Sequence, residues 1–145
     1  MTVKQLSVFV ENKQGSLAEI TAVLQRSHID IRALSIADTT NFGVLRLIVD
    51  RPVAASEALR EAGFTVSLTK VVAIGVSDTP GGLAQALMAL SEAGITVEYM
   101  YAFISRQEGT AYVILRTNDT GRTVELLTAK NIPILTEKEI GGNEE

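Results

Sequence analysis

The chain has no cysteine, no tryptophan, one histidine and three prolines in 145 residues. Without cysteine there is no disulfide, no thiolate metal site and no cysteine nucleophile. The single histidine, His28, falls where a helix is expected to end, and its charged form would suit the helix dipole there better than a catalytic role. No second histidine, GxSxG run or glycine-rich loop followed by lysine is present. This excludes a nucleophilic triad and a P-loop. Basic residues are also few: 13 Lys and Arg against 17 Asp and Glu, a net charge of −4. Nucleic acid and anionic membrane both call for clustered positive charge, so neither is an expected partner. No apolar run approaches the roughly 18 to 20 residues of a membrane helix. The N-terminal "MTVKQLSVFVENKQG" lacks the charged start and long apolar centre of a signal peptide. A cytoplasmic protein is expected. The carboxylates, in runs such as "SEA", "LRE" and "TEKE", are scattered over expected solvated faces. Their spacing suggests neither a metal site nor an acid–base pair. No catalytic residue, metal or cofactor is expected, and the C-terminal "GGNEE" reads as a frayed end.

What the chain does have is enough apolar residues for a packed core, 46% against 21% charged, and an internal duplication. Gly15 and Gly81 stand 66 residues apart. At that offset Val10 falls on Val76, Leu17 on Leu83, Leu24 on Leu90, Ile29 on Ile95 and Ile48 on Ile114. Past the third strand the second copy gains two residues, so "EAGFTV" matches "AKNIPI". Each copy opens with a β-rich run, "LSVFV" or "VVAIGV", that ends at a glycine turn. A helical pattern follows, with Leu17, Ile20 and Leu24 at i, i+3 and i+7 and Leu83, Ala86, Leu87 and Leu90 at i, i+3, i+4 and i+7. Gly94 is placed to end the second helix in the left-handed conformation, and His28 takes that position in the first copy. Two strands come next, Ile29–Ala37 and Val44–Asp50, then Ile95–Phe103 and Thr110–Thr117, joined through "DTTNFG" and "ISRQEG". Short helices over Ala54–Ala62 and Thr123–Lys130 lead into the closing strands "FTVSLTKV" and "IPILTEKEI". The order β-α-β-β-α-β, twice, predicts an α+β fold: two ferredoxin-like modules with antiparallel sheets and both helices on one face. The modules are expected at residues 1–70 and 71–145. "TVSLTKVVAIGV" runs across the join without a linker, so they are expected to be held rigidly.

The two glycine turns are the candidate functional corners. The start of a helix offers unpaired N–H donors and a positive dipole end, and a carboxylate or phosphate binds there without a cationic side chain. Gly15, and Gly81 with Gly82, allow a ligand close to the backbone, and Pro80 stiffens the second turn. Such a glycine also serves as a plain strand-to-helix turn. Tyr99, Tyr101 and Phe103 share one strand face by alternation, which would suit a base-stacking platform or a buried sheet surface. With net negative charge and no RNP-like run, the buried surface is the expected reading.

The β-α-β-β-α-β unit of roughly 66 residues, with "ENKQGSLAEI" or "SDTPGGLAQAL" after the first strand and "AGITVEYMYA" opening the second, resembles the ACT domain, a small regulatory module that binds amino acids. The second copy carries the pattern through Asp78, Pro80, Gly81, Leu83, Gly94, Ile95 and Val97. The first carries it through Asn12, Gly15, Leu17, Ile29, Asp30 and Ile31, departing at Gln14 and His28, where the family often has Pro and Gly. The resemblance covers almost the whole chain and implies a double ACT protein without an attached catalytic domain. It places effectors between paired modules, at Asn12 to Leu17 with Asp30, and at Asp78 to Leu83 with Thr96. The ligand carboxylate would meet the N–H groups around Gly15-Ser16-Leu17 or Gly81-Gly82-Leu83. The ammonium would meet Asn12 and Asp30, or Asp78 and Thr96. Cap and turn duty is the plain alternative for Asn12, Asp30 and Asp78. The resemblance therefore implies a non-enzymatic amino-acid sensor, a homodimer read by a regulated protein partner. The alternative is an interaction module with degenerate sites that acts by oligomerisation or docking. A third class, an acylphosphatase-like enzyme, would need an arginine in the phosphate loop, which neither "ENKQG" nor "SDTPG" supplies.

Overall fold

The computed structural model describes residues 1–38, 41–103, 105 and 107–141. The tips of the "DTTNFG" and "ISRQEG" turns and the C-terminal residues beyond Gly141 lie outside that set. In chain order the elements are β1 (Val3–Glu11), α1 (Ser16–Arg26), β2 (Ile31–Asp38), β3 (Phe42–Val49), α2 (Pro52–Glu61) and β4 (Val66–Ser77). They continue with α3 (Gly82–Glu92), β5 (Val97–Phe103), β6 (Thr110–Thr117), α4 (Thr120–Ala129) and β7 (Ile134–Leu135). The fold is two ferredoxin-like βαββαβ modules in tandem, as the repeat predicted.

The chain divides into two compact units. An N-terminal unit holds Lys4–Thr69 with Ile140 and Gly141. A C-terminal unit holds Met1–Val3 and Lys70–Glu139. Strand order in the N-terminal unit is β2-β3-β1-β4; in the C-terminal unit it is β5-β6-β4, with β7 also pairing β4. Both follow the order that two right-handed β-α-β crossovers impose. The run expected to be unbroken from Thr65 to Val76 falls, but for Thr65, within the twelve-residue β4 (Val66–Ser77), which contributes residues to both units.

Each unit has its own core. In the N-terminal unit Leu6, Val8 and Val10 alternate along β1 and meet Ile20 and Leu24 of α1 and Leu59 of α2. Alternation on the strand and three-to-four spacing on the helix bring these side chains to one plane. In the C-terminal unit Val72, Ile74 and Val76 face Ala86, Leu90 and Leu127. Every helix C-terminus closes through a left-handed residue or a 3₁₀-like step. His28 has φ 55° and Gly94 φ 73°, the shared position the repeat predicted.

Two expectations are corrected. First, the extra two residues of the second copy lie before the third strand, not after it. Leu6 pairs with Leu47, and its repeat equivalent Val72 pairs with Leu115. Leu47 therefore corresponds to Leu115, and Ile48 to Arg116 rather than Ile114. A two-residue slip keeps every side chain on its face, so the apolar pattern looks the same in either register. Second, "IPILTEKEI" is strand only at Ile134–Leu135. Beyond it the Thr136 N–H donates to Glu139 Oε1 and the Glu139 N–H to Thr136 Oγ1, closing a local turn instead of a ladder. The aromatic stripe of β5 is, as expected, no open platform. Tyr101 is 9% exposed, Tyr99 and Phe103 are half-buried, and a register shift falls between Val97 and Tyr99.

Candidate functional site: the two glycine corners

β1 ends at Glu11, and the Asn12 N–H donates to the Asn41 carbonyl, tying the corner to the start of β3. Gly15 then takes φ 88°, and α1 begins at Ser16 with no side-chain cap. The Ser16 N–H donates to the Lys13 carbonyl at 3.4 Å and the Glu19 N–H to the Gly15 carbonyl at 2.9 Å. The first-turn N–H groups of Leu17 and Ala18 remain for an outside acceptor. The second corner repeats the plan. The Asp78 N–H donates to the Gly109 carbonyl, Gly81 takes φ 90°, and α3 begins at Gly82, again uncapped. Gly82 donates to Thr79 and Gln85 to Gly81. The contrast is α4, where the Asp119 carboxylate accepts from the Arg122 N–H. A capped start is satisfied from within, whereas the starts of α1 and α3 offer donors.

The flanking residues differ from the plain loop picture. Asn12 Nδ2 donates to Asp38 Oδ1 at 2.8 Å, so its amide already has a carboxylate partner. Leu17 is exposed at the head of α1, while Leu83 packs against the C-terminal core. Pro80 and Asp78 are exposed. Asp30 pairs with Arg32 at 3.0 Å, and its N–H donates to Asp50 Oδ1. The Thr96 N–H donates to Asn118 Oδ1, an equivalent arrangement.

Within one unit the expected partners are not brought together. β1 and β2 both pair antiparallel with β3, so they run parallel to each other. Asn12 follows the end of β1, beside Asp38 at the end of β2, whereas Asp30 precedes β2 at the opposite end. The eight residues of β2 separate them by roughly 25 Å at strand rise. The same topology separates Asp78 from Thr96. One ligand cannot touch both members of either pair within a single module.

A side chain the glycine motif did not single out for itself is Ser16. It is 6% exposed, its hydroxyl has no hydrogen-bond partner among the described residues, and it lines a cavity of about 390 Å³ with Phe9, Phe42 and Phe64. The sequence signal for Phe9 is its position on the exposed face of "LSVFV", alternating with Leu6, Val8 and Val10. Among the described residues no group of three or more His, Asp or Glu is placed to hold a metal, and no helix is long and apolar enough to cross a membrane.

The repeat, topology and corners agree with a sequence comparison. The family model described as "ACT domain pair" matches residues 1–142. The chain belongs to this family. The ACT domain pair is also similar to protein BT0572 from Bacteroides thetaiotaomicron, at 40% identity and a TM-score of 0.91, covering 97% of this chain and 96% of that one. Two further structures share the fold. They are the regulatory subunits of aspartate kinase from Thermus thermophilus and Thermus flavus, at 19% and 15% identity, with TM-scores of 0.61 and 0.60. They cover 87% of this chain in each case and 91% and 90% of theirs. No curated protein matches the chain.

Proposed function

We propose that this ACT domain pair is a non-enzymatic regulatory protein that binds an amino acid at the glycine corners of its two modules, residues 1–70 and 71–145. The observation that carries the reading is the pair of helix starts that lack a side-chain cap behind a left-handed glycine; α2 also lacks a side-chain cap but starts with Pro52 behind Arg51, and α4 is capped by Asp119. A carboxylate on the N–H groups of Leu17 and Ala18, or Leu83 and Ala84, would complete the helix and meet its positive dipole end. Asn12, Gly15, Ser16 and Leu17 form the first corner, and Asp78, Pro80, Gly81, Gly82 and Leu83 the second. Asp30 and Thr96 would be supplied by a facing module, since each lies at the far end of its own. The Thermus structures that share the fold are regulatory subunits, which fits this reading. Ligand binding would act on a protein partner through its different affinity for two states of the assembly.

Thermal unfolding with each of the twenty amino acids at high millimolar excess tests this. A ligand that binds only the folded chain adds about 2.7 kcal/mol at a hundredfold excess over its Kd. The expected result is a raised midpoint with one or a few amino acids, reduced in Asn12→Ala or Asp78→Ala. No shift with any of them would refute it and favour a docking module.

A further inference from the structure

Both units carry a cavity at the same place, where the first strand of the module ends beside the entry to its fourth. In the N-terminal unit it measures about 390 Å³ and is lined by Phe9, Glu11, Phe42 and Phe64 among others; it reaches α1 at Ser16 and Glu19. In the C-terminal unit it measures about 270 Å³ and is lined by Gly75, Ser77, Thr110, Tyr112, Pro133 and Leu135 among others, with one aromatic ring in place of three and no residue of α3. In the register fixed by strand pairing Gly75 stands where Phe9 does and Thr110 where Phe42 does. The difference extends to the helix. A Cβ on Gly82 would run into the Ser77 carbonyl, so that corner is closed down on backbone. The equivalent Ser16 carries a side chain, and its buried hydroxyl is unpartnered.

From this asymmetry we infer that the cavity of the N-terminal unit is the working site and that its ligand is an α-amino acid with a large apolar side chain. The inference rests on the amino-acid reading above and names the module and the ligand class. Two hydroxyls are buried without a partner among the described residues, Ser16 and Ser56, and of these Ser16 lines the cavity, where a ligand that accepts from it would offset the cost of its burial. One χ1 rotation turns the Ser16 hydroxyl to donate to a carboxylate at the head of α1. Glu19 has no ion pair among the described residues, while Glu11 is held by Lys13 at 3.4 Å. Glu19 is therefore the carboxylate free to take the ammonium. The rings of Phe9 and Phe42 lie 6.0 Å apart and tilted, both about half exposed, at 53% and 48%. An aromatic pair left open to water at a cavity mouth suits an apolar group that covers it. The volume suits one molecule of amino-acid size.

Calorimetric titration of the intact chain with L-phenylalanine, L-leucine, L-alanine, L-aspartate, L-lysine and phenylacetate tests the inference, alongside Phe42→Thr and Phe9→Ala. Both phenylalanines are about half exposed, so the variants should fold and lower the ligand-free unfolding midpoint by only a few degrees, and affinities are compared below that midpoint. Phenylalanine or leucine should bind at least about tenfold tighter than alanine, and each variant should weaken that binding about tenfold. Phenylacetate, lacking the ammonium, should bind more weakly than phenylalanine. Tighter binding of aspartate or lysine, unchanged affinity in Phe42→Thr, or phenylacetate equal to phenylalanine would overturn the inference. In those cases the amino-acid reading would stand only if some amino acid binds. No binding by any amino acid would overturn both.

Discussion

Ser16 and Gly82 head equivalent helices, yet only one position has room for a side chain. Gly82→Ala drives a Cβ into the Ser77 carbonyl, a clash with backbone rather than with a flexible tip. It should lower stability by about 2 kcal/mol or more, read by urea unfolding. Ser16→Ala works the other way. It removes a buried, unpartnered hydroxyl and should leave ligand-free stability unchanged or raise it by up to about 1 kcal/mol, while weakening ligand binding. A loss of ligand-free stability would mean that the hydroxyl has a structural partner. His28 makes the third case. Its φ of 55° is costly for a residue with a Cβ, and the hydrogen bond it receives from Arg51 goes to its backbone carbonyl. His28→Gly should therefore stabilise by about 0.5–1 kcal/mol in the same assay. This position was legible in the sequence because His28 aligns with Gly94. The burial of Ser16 was not, since one glycine motif looks the same over an open corner and a closed one.

Helix starts and strand registers carry the next level. α4 is capped from within by Asp119, so Asp119→Ala should cost about 1 kcal/mol in urea unfolding and leave ligand affinity unchanged. α1 and α3 have no such cap, and the same amount of stabilisation is left for a bound carboxylate to supply. The order of elements could be read from the sequence because strand alternation and helical spacing differ and glycines punctuate both. The register of the third strand could not. Residues two apart share a face, so Ile48 on Ile114 and Leu47 on Leu115 satisfy the same apolar pattern. The last strand is shorter than its β-rich pattern implies because Thr136 and Glu139 bond each other locally, an alternative that β propensity does not weigh.

For the molecule as a whole, topology decides which residues can share a ligand. Parallel β1 and β2 put Asn12 and Asp30 at opposite ends of their module. Local motifs do not show this, and it rules out one ligand touching both within the module. The edge strand β2 exposes Leu34 at 56% and Ile36 beside it, an apolar edge of the kind that pairs with another chain. Sedimentation equilibrium at tens of micromolar should give twice the 15.6 kDa chain mass, falling to the monomer in Leu34→Asp. A monomeric wild type would contradict the homodimer that the family resemblance implies. The central claim is that a helix start in this chain holds the carboxylate of an amino acid. Its most direct test is the amide NMR spectrum of the ¹⁵N-labelled chain, titrated with the amino acid that most raises the unfolding midpoint. Saturable shifts of the Leu17 and Ala18 amides, larger than those of the capped α4, are predicted. If a bound amino acid leaves the first-turn amides of both α1 and α3 unmoved, the site lies elsewhere and the account is wrong.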